Sequence, residues 1–364
     1  MKDIAIYIHI PFCRSKCNYC AFNSFYADKE TQKEYINHLI KEIHLFSKNN
    51  DIMRADTVYF GGGTPSFLYE GGIKSIIEVL KDNFDYEPKE ISIECNPESL
   101  TDVKLNEYNE SGINRISIGL QSASNQLLKE AGRVHSFDDF LNALERCKKA
   151  GFDNVNCDIM LGLPNQKPQD VTQTLQLLFQ HDIIKHISMY GLKPEKNTPW
   201  QDIKIDEDLS ADMYDLAFLM LKENGFNRYE ISNFAKNGYE CKHNIKYWKR
   251  KNYIGFGLSA HSLIDNVRYA NPDSMTDYIN GKKETLVLNQ QQIEEEYLML
   301  ALRMDEGIDL NDYKQQFNRD FVERFSKPIQ KLFKLKVIEI AQNNLRIAPK
   351  YMGVMNSIIT EFFI

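Results

Sequence analysis

Six short segments of apolar alternation, most of them separated by helical patterns, constrain the fold of this 364-residue chain more than any other feature. They are Ile4–Ile10, Thr57–Gly61, Ile91–Asn96, Arg115–Gln121, Asn154–Met160 and His186–Leu192. Successive side chains of a strand point to opposite faces. In the first segment Ile4, Ile6, Ile8 and Ile10 share one face, and Tyr7 and His9 lie on the other. Ile116, Ile118 and Leu120 oppose Arg115, Ser117, Gly119 and Gln121, and Val155, Cys157 and Ile159 oppose Asn154, Asn156 and Asp158. Among the helical patterns, Tyr35, Leu39, Ile43 and Phe46 form one stripe. Phe137, Phe140, Leu141 and Leu144 form another, with Ser136 as N-cap and Gly151 as stop. Strands alternating with helices predict βαβ units and a parallel sheet. A strand buried on both faces in such a protein is usually apolar throughout. Here one face is polar in strand after strand, which suits a lumen holding water or ligand. An antiparallel sheet with one wet face is the competing arrangement, and the intervening helices weigh against it.

The chain is 43% hydrophobic and 26% charged, ordinary for a protein that buries a full core. At about 150 residues per domain its length suggests roughly two to three domains. A net charge of −7 argues against a whole-surface nucleic-acid binder. No apolar run is long enough to span a membrane. The first apolar stretch contains His9 and ends in cysteines, unlike a cleavable signal peptide. The expectation is a cytoplasmic protein without a transmembrane segment, with peripheral membrane contact left open. Of seven cysteines, Cys13, Cys17 and Cys20 crowd together, a spacing for wrapping one small inorganic object rather than a disulfide framework. Cys147 falls in line with Phe140 and Leu144, and Cys95 and Cys157 continue apolar strand faces, so all three are expected in the core.

Three segments at strand carboxyl ends carry the candidate chemistry. The first holds the cysteine triplet, whose thiolates suit zinc or an iron–sulfur cluster. With no obvious fourth cysteine nearby, one metal position stays open to a small molecule; a zinc site completed by His9 or a distant residue is the alternative. The second is Gly61-Gly62-Gly63-Thr64-Pro65-Ser66, expected to bring backbone and amide N–H groups close to a ligand, or else to form a tight turn. The third is Glu94-Cys95-Asn96-Pro97, with a carboxylate where parallel sheets bind ligands, or a structural ion pair.

Together these residues carry a family likeness. Tyr7-Ile8-His9-Ile10-Pro11-Phe12-Cys13-x3-Cys17-x-Tyr19-Cys20 resembles the cluster signature of radical S-adenosylmethionine (SAM) proteins, and more narrowly of the oxygen-independent coproporphyrinogen III oxidase family. The likeness continues through Gly61–Ser66, Glu94–Pro97, Gly119–Gln121, Arg133, Asp158 with Gly162-Leu163-Pro164, and Gly255–Ala260. It implies an α/β fold: a parallel partial (β/α)6-type radical SAM barrel with a small C-terminal helical or winged-helix-like domain. It implies that Cys13, Cys17 and Cys20 hold a [4Fe–4S] cluster, with SAM closing the fourth iron. Tyr7, Gly62 and Glu94 match SAM-contacting positions, and Tyr19, Gly63, Thr64, Gln121, Arg133 and Asp158 match contacts of a second SAM in the oxidases. Gln121 and Asp158 also fall on the polar strand faces read above.

Two departures separate this chain from the oxidases. Phe22 stands where they usually carry a further cysteine, and only six residues precede Tyr7. In addition, His243-Asn244-Ile245-Lys246-Tyr247-Trp248 resembles the HNxxYW signature of the family's heme-chaperone subgroup. Imidazole ligates heme iron, aromatic rings pack on porphyrins, and Lys or Arg pairs with propionates. His243, Tyr247 and Trp248 are therefore the heme candidates, with Cys241 ranked next as ligand and His261 a further residue that could face the same cavity. The resemblance implies binding of a [4Fe–4S] cluster, SAM and heme, with heme passed as cargo to an acceptor hemoprotein. The alternatives are oxidative decarboxylation of coproporphyrinogen III and, ranked last, zinc-dependent RNA modification resting on the basic stretch Lys242–Lys251. The expected organisation is a barrel core over 1–200, an extension carrying the HNxxYW segment over 201–285 and a C-terminal domain over 286–364. In the last, Ile293–Met304 and Lys327–Lys336 read as helical.

Overall fold

Strands form where the alternation predicts them. The computed structural model describes residues 2–363, and its first six strands are β1 (Asp3–Ile10), β2 (Arg54–Gly62), β3 (Asp85–Cys95), β4 (Arg115–Gln121), β5 (Val155–Leu161) and β6 (Ile184–Gly191). Each pairs in parallel with the next. The sheet is extended by β7 (Asn227–Glu230), β8 (Asn233–Ala235), β9 (Tyr253–Phe256), β10 (His261–Ile264), β11 (Val267–Ala270) and β12 (Glu284–Val287). Among the described residues the order is β12-β11-β10-β9-β1-β2-β3-β4-β5-β6-β8-β7. β9 runs parallel to β1, and β8 closes the other side antiparallel to β6.

The apolar strand faces pack under helices. Ile6, Ile8, Val58, Phe60, Ile93, Ile116 and Ile118 are fully buried against the stripes of helices such as Lys29–Lys48, which buries Ile36, Leu39 and Ile43. Each such side chain contributes about 1.5–3 kcal/mol by leaving water. Helix Phe137–Lys149 starts at Ser136 with a full capping box to Asp139, and Gly151, at φ +89°, follows its end. Cys95, Cys147 and Cys157 lie in this core.

The polar faces line a lumen that divides in two. Toward the strand amino ends, Thr57 lies beside Glu90, and Asn156 beside both Ser117 and His186. Helix Lys242–Trp248 closes this level, with His243 bonded to Thr57. Toward the carboxyl ends the lumen stays open, where two cavities lie. The expectation of a wet or ligand-filled interior therefore holds for the upper half, because protein groups satisfy most of the lower one.

A second apolar cluster, including Tyr297, Leu298, Tyr313, Phe321, Phe325 and Phe362, lies in the last stretch of the chain. It gathers helices Gln290–Ala301, Leu310–Phe317 and Ser326–Lys334 around an antiparallel sheet of β13 (Ile308–Asp309), β14 (Ile338–Ala341) and β15 (Asn344–Ile347), in the order β13-β15-β14. The expected helix Ile293–Met304 ends at Ala301, since Met304 leaves it to bridge Glu230. No helix is long and apolar enough to cross a membrane among the described residues.

Candidate functional site

The loop after β1 is pinned from three sides. The Cys13 amide donates to the Phe25 carbonyl (3.0 Å), the Asn18 amide to the Ala131 carbonyl (3.0 Å) and the Trp200 amide to the Asn18 carbonyl (3.2 Å). Arg133 reaches in from beyond β4: its guanidinium donates to Cys17 Sγ (3.4 Å), Asn96 Oδ1 (2.7 Å) and the Gly119 carbonyl (2.7 Å). One part-buried cation thereby ties the cysteine loop to two strand ends, and its Nε is left without a protein partner. Cys13 Sγ lies 3.4 Å from Thr64 Oγ1. All three thiols are part-exposed and free, on one cavity of about 430 Å³. Thiolates so presented are the donor set of an iron–sulfur cluster.

That cavity gathers nearly every residue singled out for SAM. Tyr19, Gly62, Gly63 and Thr64 line it, as do Glu94, Gln121, Arg133 and Asp158. Tyr7 does not; it faces a neighbouring cavity and stacks on Tyr59 (6.3 Å between rings). The glycine run differs from its expected role. The Gly62 amide donates to Glu94 Oε2 (3.2 Å), the Gly63 amide to the Ile10 carbonyl (2.8 Å) and the Thr64 amide to the Phe12 carbonyl (2.8 Å). These N–H groups are thus bound within the protein rather than offered to a ligand. The glycines are required for close approach: Gly62 sits at φ +110°, and a Cβ there would lie 2.6 Å from the His9 ring.

Two acids face each other across the cavity. Burial, then the charge of Asp158, pushes Glu94 up to about 7. Burial also raises Asp158, whose Oδ1 accepts from Asn156 (2.7 Å). Glu94 Oε1 accepts from the Tyr59 hydroxyl (2.9 Å). A pair so placed binds a cation more readily than it holds two charges alone. Gln121 holds a left-handed φ of +77°, backbone strain of the kind kept at binding sites.

The His243 segment occupies a different place from the one expected of a heme ligand. His243 is fully buried. Its Nδ1 bonds Thr57 Oγ1 (2.9 Å) and its Nε2 bonds the Tyr247 hydroxyl (2.8 Å). Burial above all, then the positive charges of Lys246 and Arg115, pulls its pKa down to about 3. A neutral imidazole has one donor and one acceptor nitrogen, and both are engaged here, so ligating iron would require the floor of the barrel to come apart. Cys241 is buried as well, with Sγ donating to Glu90 (3.3 Å). Trp248 lines neither cavity. Of the three candidates, Tyr247 lines the larger of these two cavities, of about 750 Å³, which His261 also lines. Lys16, Ala21 and Phe22 of the cysteine loop wall both cavities.

Sequence reasoning missed the floor network. Glu90 accepts the amides of Lys242 (2.8 Å) and His243 (3.1 Å), the missing partners of a helix start. Arg115, fully enclosed, has Nε and Nη1 without hydrogen-bond partners and shares its surroundings with Glu90, Cys241 and Tyr229. His186 bonds Asn156 Oδ1 (2.6 Å) and the Tyr229 hydroxyl (2.8 Å). The available signal was the polar residues at the amino ends of the strands, whose partner is a helix far along the chain.

Comparison with known proteins agrees with this architecture. The Radical SAM superfamily matches residues 7–178 and the HemN C-terminal domain residues 288–350. A heme chaperone HemW of Lactococcus lactis is 31% identical over the whole of this chain and 98% of its own length. A HemW of Bacillus subtilis is 33% identical over 93% of this chain and 91% of its own. The mouse mitochondrial radical SAM domain-containing protein 1 is 30% identical, covering 98% and 86%. In fold, the coproporphyrinogen III oxidase HemN of Escherichia coli superposes with a TM-score of 0.87 over 99% of this chain and 90% of that one, at 20% identity. The chain belongs to the radical SAM superfamily and, within the coproporphyrinogen oxidase-like family, to the HemW group.

Proposed function

We propose that this protein is a heme chaperone: it binds a [4Fe–4S] cluster through Cys13, Cys17 and Cys20, binds SAM in the adjoining cavity, takes up heme and passes it to an acceptor hemoprotein, in the cytoplasm. The observation that carries this reading is the meeting of two cavities at the cysteine loop, one set with thiols and paired acids, the other roomy, aromatic and basic. Both fall in the volume range of small-molecule sites.

Glu94 and Asp158 receive the cationic parts of SAM, and burial makes both carboxylates sensitive to that charge. Arg133 positions the loop by holding Cys17 against Asn96 and Gly119. A bound cluster supplies an iron with an open position and one-electron chemistry. The relatives named HemW support heme as the cargo.

Anaerobic reconstitution followed by hemin titration tests this. Expected are about four irons and four sulfides per chain, one saturable heme, and heme transfer to an apo-hemoprotein. Hemin that never saturates at one per chain overturns the reading.

A further inference from the structure

The 750 Å³ cavity carries three kinds of chemistry together. The first is a free imidazole. His9 lines the cavity but is buried, with Nδ1 against the Tyr7 hydroxyl (3.1 Å) and Nε2 against the Asn23 carbonyl (3.4 Å). His261, the first residue of β10, is exposed, and among the described residues its ring has no hydrogen-bond partner. An unengaged imidazole nitrogen is what ferric or ferrous heme iron binds.

The second is aromatic surface. Tyr247 and Tyr253 pack edge to face at 4.6 Å. Phe22, 68% exposed on the ridge shared with the cysteine loop, offers a large apolar face to solvent. The third is positive charge. Arg250 and Arg268 both pair with the single carboxylate of Glu296, leaving one cation in excess and Arg250 Nη2 without a partner. Lys16 and Lys196 stand on the same lining, against one acid, Asp273. A flat aromatic dianion carrying a ligand-seeking metal matches all three.

We propose that this cavity is the heme seat and that His261 is the iron ligand. The assignment rests on the chaperone reading above and relocates the cargo from the His243 floor to the cleft beside the cysteine loop. Phe22 then packs against the macrocycle, and Lys16 and Lys196 pair with its propionates.

The test is an anaerobic hemin titration of the full-length, cluster-loaded protein, read by Soret absorption and resonance Raman. Wild type is compared with His261→Ala and His261→Gln, with metal-free protoporphyrin IX as a second probe. Expected for both variants is a hemin affinity lower by at least about tenfold, the lower end of what loss of a group supporting a metal ligand costs. Their Soret band shifts, and added imidazole restores the wild-type spectrum in His261→Ala. Metal-free porphyrin affinity stays unchanged. Hemin affinity and spectrum unaltered by His261→Ala overturn the ligand assignment while saturable binding keeps the chaperone reading. An equal loss for metal-free porphyrin also overturns it, since the effect would not be at iron. Absence of saturable hemin binding in wild type removes the chaperone reading itself.

Discussion

Replacing His243 by alanine separates a structural floor from a metal ligand. The side chain is fully buried and bridges Thr57 and Tyr247. Its removal deletes two hydrogen bonds and leaves two hydroxyls without those partners, each costing about 1–3 kcal/mol. The vacated ring space adds a cavity cost. The total is about 3–5 kcal/mol, or a melting temperature lower by about 5 °C for a chain of this length. His243→Asn retains a polar group near the Nδ1 position facing Thr57 and should recover about half of that loss. Urea denaturation of the three proteins measures the series, and hemin titration of the same samples at low temperature supplies the second axis. A structural role for His243 predicts a large stability loss with the heme spectrum kept in the folded fraction. A His243→Ala protein as stable as wild type that no longer ligates heme refutes it and returns His243 to the iron.

Three further outcomes follow from the same geometry. Gly62→Ala places a Cβ against the His9 ring at a φ of +110°, so it should cost about 2–4 kcal/mol in urea denaturation, combining backbone strain and overpacking; wild-type stability would refute the packing argument. Acid should destabilise the protein: burial pulls His9 to about 4, His135 and His243 to about 3, and His186 well below its usual value, so their contribution is complete above about 6.5 and lost as pH falls toward 4 and 3. Glu94 and Glu230, raised to about 7, and Asp158 and Asp305, also raised by burial, take up protons in the native state and offset part of this, so stability should fall as pH drops from about 6.5 toward 5; a urea midpoint that is flat from pH 7 to 5 contradicts it. With Phe22 in place of the oxidases' further cysteine, anaerobic incubation with coproporphyrinogen III, SAM and a reductant should yield no protoporphyrinogen, and its accumulation would restore the oxidase alternative.

The fold was legible because two neighbours impose opposite demands on each strand. Ile6, Val58, Ile93 and Ile116 face helices, while Tyr7, Tyr59, Glu94 and Ser117 face the lumen, and a period of two records both demands. The cysteine loop was legible for a different reason: its three thiols are local, within eight residues of one another. Contacts between distant segments were not legible. Arg133 meets Cys17 across 116 positions and His243 meets Thr57 across 186. The glycine run misled because its composition shows that the backbone comes close to something, without showing that the something is the His9 ring and the Ile10 and Phe12 carbonyls.

The two histidines show where residue type stops being informative. His243 sits in a basic, aromatic segment that reads as a heme contact, and His261 lies 18 positions on in a short β-hairpin. Chemistry alone ranks the first above the second, because Tyr247, Trp248 and the lysines surround it in sequence. Packing reverses the order. The amide N–H groups opening helix Lys242–Trp248 are taken by Glu90, which fixes His243 facing the strands, where Thr57 and Tyr247 take both ring nitrogens. β10 pairs with β9 and β11 through its backbone, which leaves the His261 ring free of structural duty. A ligand must have a lone pair that folding has not already used, and by that criterion the segment that reads as a heme site supports the barrel while its neighbour faces the cleft.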